Sequence, residues 1–356
     1  MKPFRKIRIS LLWSMHTSSN AHVFESSSSS GGNMRLLGVV TALFAVAVVG
    51  LLVPSPVRAG TPDSKQPDAA TVARARAAFI KEMSSRRPMV RSNVAPLAAA
   101  EGAAGVGSYN WSGFADVEGG AKTVTSVSGQ WEMPFVQCPS GLYRNQDAFL
   151  AQWVGLDGFT SGTVEQLGSG TQCFEGVTYY YVWYEMFPNG TVIEGTQACI
   201  NNNVDCPRPG DLISASVTVA AGGNYTLSLT DFNRPQESFS VNAQCDPAVC
   251  VDSSGEWIIE RPAFALPFGF QILPLVDFFE TGFFNGTLTS GGNTTKIEGF
   301  QDGPVYDVVM IDDSASYFLD CVGQKHPGPQ LLPFPDGCPV VSPHHGSFDA
   351  TWDSSF

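Results

Sequence analysis

The chain has 356 residues, with 20 Lys or Arg against 33 Asp or Glu and a formal net charge of −13 at pH 7. Residues 60–104 carry seven basic and four acidic side chains, a difference of +3, whereas residues 105–356 carry seven and 28, a difference of −21. A region as acidic as residues 105–356, called the acidic body below, would repel phosphates, which argues against nucleic-acid binding. It also suits a protein that works in acid, because protonation of carboxylates relieves their mutual repulsion.

The N-terminal 59 residues are predicted to be a leader and not part of the fold. Residues 1–33 include a Ser/Gly tract and lack the composition of a signal n-region, so we expect a non-structural extension, with Met34 as an alternative start. An apolar run over Leu36–Val53 is followed by small residues up to Ala59, which predicts a secretory signal over 34–59 and a secreted protein. A run of this length is also compatible with an uncleaved membrane anchor.

Residues 60–104 form a basic segment that we interpret as a pro-segment acting as an intramolecular inhibitor of the acidic body. Asp68 is a candidate N-cap for a helix over Ala69–Met83, on which apolar residues recur with helical spacing. The Ala- and Gly-rich stretch Ala95–Gly107 predicts a cleavable linker. The alternative is an ordinary N-terminal helix that docks permanently on the domain.

The region over 105–322 is predicted to be all-β, a single antiparallel β-sandwich of two large sheets. Short segments rich in Val, Ile, Thr and aromatic residues are separated by Gly, Asn, Asp and Pro, as expected for strands and turns. Residues 323–356 are Pro-rich and are expected to form a C-terminal extension on the surface. The predicted strands are Thr123–Met133, Ala148–Leu156, Val177–Met186, Leu212–Ala220, Tyr225–Thr230, Glu256–Glu260 and Val305–Ile311.

The eight cysteines lie between Cys138 and Cys338, and behind a signal peptide they predict disulfides. Sequence does not select one pairing, although Cys199–Cys206, Cys245–Cys250 and Cys321–Cys338 are local candidates. No C-x-x-C pair or His cluster indicates zinc, so we expect neither metal nor cofactor. Five N-glycosylation sequons begin at Asn110, Asn189, Asn224, Asn285 and Asn293.

Common hydrolase signatures are missing from the sequence. Downstream of the leader the only histidines are His326, His344 and His345, all in the Pro-rich tail. Neither a G-x-S-x-G elbow nor a C-G-S-C-W segment is present, and there are no two Asp-Thr/Ser-Gly loops. Carboxylates, amides and aromatic residues on predicted strands therefore remain as candidates for chemistry.

Two-residue alternation along strands predicts a groove lined by such side chains. Trp153 and Asp157 share one face of their strand, Gln166 projects from the next strand, and Trp183 and Glu185 share a face of the one after it. Gln166 is the most informative of these residues, because its amide donates hydrogen bonds at any pH and could hold an oxyanion beside a carboxylate that activates water.

Several ordered motifs resemble the eqolisins, the glutamic endopeptidases. They are Trp153–Gly158, Gln166–Gly168, Trp183–Pro188 and Glu256–Glu260, and Ser112–Asp116 resembles the start of that domain. The resemblance implies a two-sheet antiparallel sandwich that is active at acid pH on protein or peptide substrates.

Matching motif to motif, the resemblance assigns the catalytic pair to Gln166 and Glu260. Glu256 lies on the same strand face and stays as the reserve for Glu260. Leu167 departs from the small hydroxyl residue usual after the glutamine, and Tyr181 stands where the family can have an acid. By the same matching, the positions that line the cleft are Trp153, Asp157, Trp183 and Glu185.

A second class of function stays open at this point, a carbohydrate-binding or glycoside-hydrolysing β-sandwich. Aromatic strips suit sugar stacking, and two carboxylates could hydrolyse a glycoside. This alternative gives Gln166 no task. In either case we expect a monomer.

Overall fold

The structure is a computed structural model that describes residues 66–92, 103–118, 123–139, 145–267, 269–297, 304–311, 320–323 and 348–352. The predicted extension and signal lie outside these residues. None of the helices in the described ranges combines the length and apolar character needed to span a bilayer. In chain order the helices and strands are α1 (Ala69–Ser84), β1 (Ala103–Ser108), β2 (Trp111–Val117), β3 (Val124–Glu132), β4 (Ala148–Leu156), β5 (Val164–Phe174), β6 (Val177–Phe187), β7 (Thr191–Glu194), α2 (Gln197–Asn202), β8 (Leu212–Ala220), β9 (Asn224–Asp231), β10 (Phe239–Gln244), β11 (Ser254–Glu260), β12 (Ala263–Ala265), β13 (Phe270–Ile272), β14 (Glu280–Ser290), β15 (Asn293–Lys296), β16 (Val305–Met310), β17 (Asp320–Gly323) and β18 (Phe348–Trp352).

The strands form two large sheets, which confirms the predicted β-sandwich. The first sheet has the order β1-β16-β2-β11-β4-β5-β6-β7 and the second the order β10-β9-β8-β3-β14-β18-β17. Strands pair antiparallel throughout both sheets except for β1 and β16, which are parallel.

The core between the sheets comes from alternate residues of each strand. Val154 and Trp257 from the first sheet and Leu227 and Leu288 from the second are all buried in one cluster. Because side chains alternate between the two faces of a strand, the neighbours of these core residues point to the outer face of their sheet. For the first sheet, that outer face carries the candidate site.

Helix α1 covers the outer face of the first sheet. Asp68 caps it as predicted, accepting a hydrogen bond from the Thr71 amide at 2.7 Å. Phe79 packs against Tyr181 with ring centroids 4.5 Å apart. The helix lies so close to β5 that a Cβ atom on Gly170 would come within 2.3 Å of the Phe79 ring. The apolar stripe of the basic segment is therefore buried against the sheet.

Two segments differ from the sequence expectation. Residues 103–107, predicted as linker, belong to edge strand β1. Residues 348–352 of the predicted surface extension form β18, which pairs with β14 inside the second sheet. Phe348 is buried there against Phe114 and Phe283. Residues 103–107 thus extend the edge of the first sheet, and residues 348–352 add a strand to the second sheet and a side chain to the core.

Disulfides link Cys138 to Cys173, Cys199 to Cys206 and Cys245 to Cys250. The last two are local pairings predicted from spacing. The first joins the loop after β3 to the end of β5, a pairing that spacing did not suggest. The third local candidate, Cys321–Cys338, lies outside the described residues because it involves Cys338.

Candidate active site

Gln166 lies on the outer face of the first sheet. It is 2 % exposed, and it pairs across the sheet with Glu185 on β6. Gln166 Nε2 donates to Glu185 Oε2 at 2.9 Å, while Glu185 Oε1 accepts from the Thr191 hydroxyl at 3.0 Å. An ionised carboxylate only accepts hydrogen bonds, so this contact fixes which end of the amide faces Glu185. One N–H of the Gln166 amide remains for another acceptor.

Glu260 ends β11 on the same outer face and is 1 % exposed. Trp153 Nε1 on β4 donates to Glu260 Oε2 at 2.8 Å, and Asn110 Nδ2 lies 3.5 Å from Glu260 Oε1. Trp153 is itself packed edge-on against Trp111 at 4.9 Å. Aromatic rings thus form the walls around this carboxylate.

Arg86, just after α1, brings the two groups together. Its Nε lies 3.1 Å from both Glu260 oxygens, and its Nη1 lies 3.0 Å from Glu185 Oε2. The guanidinium stacks over the Trp183 ring at 5.0 Å and is buried. Three of the six predicted site residues, Glu260, Glu185 and Trp183, therefore contact one guanidinium. Gln166 and Trp153 bond to the two carboxylates that pair with it.

The electrostatics of this centre set burial against a single cation. Burial raises the pKa of Glu260 above its ordinary value, and the Arg86 guanidinium opposes that rise. The same holds for the pKa of Glu185, which burial raises and Arg86 lowers. Because desolvation disfavours the charged carboxylate, both acids take up protons at a higher pH than exposed glutamates would.

Asp157 and Glu256 lie apart from this centre. The Asp157 carboxylate accepts from the backbone amides of Val251, Asp252 and Ser253 at 2.8 to 2.9 Å, so it anchors a neighbouring loop. Glu256 is fully buried, and burial raises its pKa well above the ordinary value. Glu260, unlike Glu256, contacts the Arg86 guanidinium, which opposes the effect of burial on its pKa, and this favours Glu260 over its reserve.

Within the described residues, the carboxylate group that could hold a cation is Asp157, Glu165 and Asp252, whose oxygens lie within 4.8 Å of one another. Asp157 is already satisfied by amides, and Asp252 accepts from the Tyr225 hydroxyl. Glu165 and Gln166 are consecutive residues of β5, so their side chains point to opposite faces of the sheet.

Two residues of the site were not anticipated. Arg86 is one of six basic residues on or after the helix, and nothing local marks it as the buried one. The sequence marks Asn110 only as a sequon, yet its side chain is fully buried and contacts both Glu260 and the basic segment. The other four sequon asparagines are exposed.

The fold is a sandwich of two sheets, and the face of the first sheet that helix α1 covers carries both a buried acid and a buried amide. Comparison with known proteins assigns a chain with these features to a family. The model of the Peptidase A4 family matches residues 109–317, so the chain belongs to this family, and it is a glutamic-type endopeptidase. The resemblance to the eqolisins is confirmed.

Similar solved structures include scytalido-glutamic peptidase with a transition state analog inhibitor, at 18 % identity and a TM-score of 0.49, covering 69 % of this chain and 98 % of that one. SCP-B, a member of the eqolisin family in a complex with the tripeptide Ala-Ile-His, has the same identity and coverages and a TM-score of 0.47. Aspergilloglutamic peptidase from Aspergillus niger matches at 20 % identity and a TM-score of 0.41, covering 58 % and 99 %. No curated protein matches the chain.

Proposed function

We propose that the protein is a secreted acid endopeptidase that hydrolyses peptide bonds with Gln166, Glu260 and an activated water, and that it is made as a proenzyme. The observation that carries the proposal is the position of the Arg86 guanidinium, which contacts Glu260 directly and Gln166 through Glu185. A residue of the basic segment thus occupies the point towards which the acid and the amide both face. Family membership supplies the reaction class.

The mechanism assigns one task to each member of the pair. With the basic segment gone, water reaches Glu260 and the burial that raised its pKa is relieved, so its carboxylate form is available in mild acid. That carboxylate removes a proton from a water molecule as the water attacks the scissile carbonyl. The free N–H of Gln166 donates to the oxyanion of the tetrahedral intermediate. Glu260 then returns the proton to the leaving amine. Histidine would be protonated and ineffective as a base at the same pH.

Latency follows from the buried ion pairs. At neutral pH, the contacts of Arg86 with Glu185 and Glu260 and the negative charge of the body hold the basic segment over the site as an intramolecular inhibitor. As pH falls towards about 4, protonation of carboxylates across the acidic body weakens this attraction and the segment is released. The disulfides support an extracellular location, because such bonds persist in oxidising compartments.

Substitution of the pair tests the proposal. Gln166→Ala should lower kcat about 10²–10³-fold through loss of one oxyanion donor, and Glu260→Ala should abolish hydrolysis because no base remains. Cleavage of denatured protein at pH 2–5 gives the readout, with the melting temperature as the check on folding.

Glu256→Gln is the matched control, since it alters a buried acid on the same strand face and should keep the activity. Full activity in Gln166→Ala or Glu260→Ala would refute the assignment. Hydrolysis of polysaccharide but not of protein in the same pH range would instead support the glycosidase alternative.

A further inference from the structure

Asn110, between β1 and β2, contacts main-chain atoms of the pro-segment on both sides of its amide. The Val90 backbone N–H donates to Asn110 Oδ1 at 2.7 Å. Asn110 Nδ2 lies 3.5 Å from the carbonyl oxygens of Arg87 and Pro88. None of these contacts depends on the side chain of the pro-segment residue.

Backbone groups next to Asn110 continue the same pattern. The Tyr109 amide donates to the Val90 carbonyl at 2.9 Å, and the Ser92 amide donates to the Gly107 carbonyl at 2.8 Å. Further along, the Arg87 amide donates to the Ala263 carbonyl at 2.8 Å. The extended residues 87–92 therefore lie along the sheet edge as an added strand does in peptide recognition. We call this path, from Ala263 past Asn110 to Gly107, the main-chain lane.

From these contacts we infer that the main-chain lane binds the backbone of the substrate after the pro-segment leaves, and that Asn110 is a substrate-binding residue. A carboxamide presents one acceptor and two donors, the same hydrogen-bonding groups as a peptide unit. Asn110 Nδ2 is also 3.5 Å from Glu260 Oε1, so the lane adjoins the proposed catalytic acid. The substrate class is an extended, unfolded polypeptide that continues for several residues beyond the scissile bond, with little demand on side chains in the lane.

This inference rests on the proposed function, and it predicts a split between kcat and KM. The full-length protein is incubated in acid until its activity is constant. It is then assayed on a long peptide and on versions shortened by four residues at either end. Asn110→Ala should raise KM for the long peptide about tenfold, the usual value of one net hydrogen bond at the upper end of its range. Its kcat should change by a smaller factor than KM, because Asn110 Nδ2 lies 3.5 Å from Glu260 Oε1 whereas Trp153 still donates to that carboxylate at 2.8 Å.

One of the shortened peptides should have a high KM with the parent protein and no further response to Asn110→Ala, because it does not reach the lane. Asn224→Ala is the control: Asn224 is exposed and its side chain bonds to Ala221 and Gln244, so KM should not change. Asn110→Ser covers the case in which the alanine variant fails to fold. It keeps a small neutral polar side chain but cannot present the acceptor and two donors of the carboxamide, and it should also raise KM for the long peptide only.

Equal effects on long and short peptides, or a fall in kcat with KM unchanged, would overturn the assignment. If the parent protein cleaves no peptide, the proposed function fails, and binding alone then decides the role of the lane. This binding experiment uses protein that carries Arg86→Ala, which loosens the pro-segment. The probe is a long peptide with a reduced amide bond. Asn110→Ala should weaken binding of that probe about tenfold; unchanged binding would reject the lane.

Discussion

At the scale of single residues, Arg86 is the cation for two buried carboxylates. Glu185 and Glu260 are 0 % and 1 % exposed, and the guanidinium fork reaches both. Removing one partner of a buried ion pair typically costs about 3–5 kcal/mol, since the remaining charge stays desolvated. When both carboxyls are ionised, the two carboxylates and the guanidinium carry a net charge of −1. Protonation of either carboxyl makes the group of three neutral.

Arg86→Met should therefore weaken the hold of the basic segment and speed its release near neutral pH about a hundredfold, which corresponds to the lower end of that energy range. In the parent protein, activation should accelerate as pH falls towards about 4, because the carboxylates of the acidic body that attract the segment are then protonated. In the variant this pH dependence should flatten. Conversion of the full-length chain, followed by gel electrophoresis from pH 3 to pH 7, measures both effects.

Arg74→Met is the matched control, because Arg74 lies on the same segment but its ion pair with Glu175 is half exposed. Its activation profile should follow the parent, since exposed pairs contribute little. An Arg86→Met profile that also matches the parent would show that the guanidinium does not hold the pro-segment.

Residue-level prediction succeeded where alternation along a strand carried the information. Gln166, Glu185, Trp153 and Trp183 were expected on one face, and they share it. The burial of Arg86 could not be predicted from the sequence, because it depends on two carboxylates from strands that are distant in the chain. Asp157 fits the strand pattern too, but its carboxylate meets the amides of a loop whose path the pattern does not contain.

At the scale of elements, strands with uninterrupted β-branched and aromatic residues were predicted to within a few residues. Strand β14 was not predicted, because Gly and Asn interrupt its apolar alternation and its pairing with β3 contains register shifts. Strand β18 was not predicted because it is only five residues long and follows a Pro-rich stretch. Its strand character comes from β14 and β17 on either side, which are far away in sequence.

The place of β18 in the core gives a prediction for stability. Phe348 is 1 % exposed and packs against Phe114 and Phe283 at 4.9 and 5.3 Å between ring centroids. Phe348→Ala should lower the free energy of unfolding by about 3–5 kcal/mol, because it leaves a cavity between the sheets. Urea unfolding of the full chain measures this loss.

Phe232→Ala provides the comparison, because Phe232 is 54 % exposed and its truncation should change stability by no more than about 0.5 kcal/mol. Similar small losses for both variants would mean that β18 is not part of the core.

At the scale of the whole molecule, the described interior holds carboxyl groups that no cation neutralises. Burial, with Glu118 nearby, raises the pKa of Asp116 to about 8. Burial, with Asp157 nearby, raises the pKa of Glu165 to about 9, and burial alone raises the pKa of Asp307 to about 7. These groups are neutral in acid, where the proposed reaction takes place, and each must ionise in a desolvated position as the solution approaches neutrality.

The protein should therefore be most stable in acid and lose stability towards neutral pH. In the unfolded chain these carboxyls titrate near pH 4, so above that pH the unfolded state binds fewer protons than the folded state. Stability then falls as pH rises from about 4 to about 9, and the stabilisation is fully present only below the unfolded pKa. Melting temperatures from pH 3 to pH 8 should decline accordingly.

Glu165→Gln, which cannot ionise, should flatten the decline, whereas Glu132→Gln, at an exposed position, should leave it unchanged. A melting temperature that rises between pH 4 and pH 7 would mean that these buried acids find counter-charges on folding.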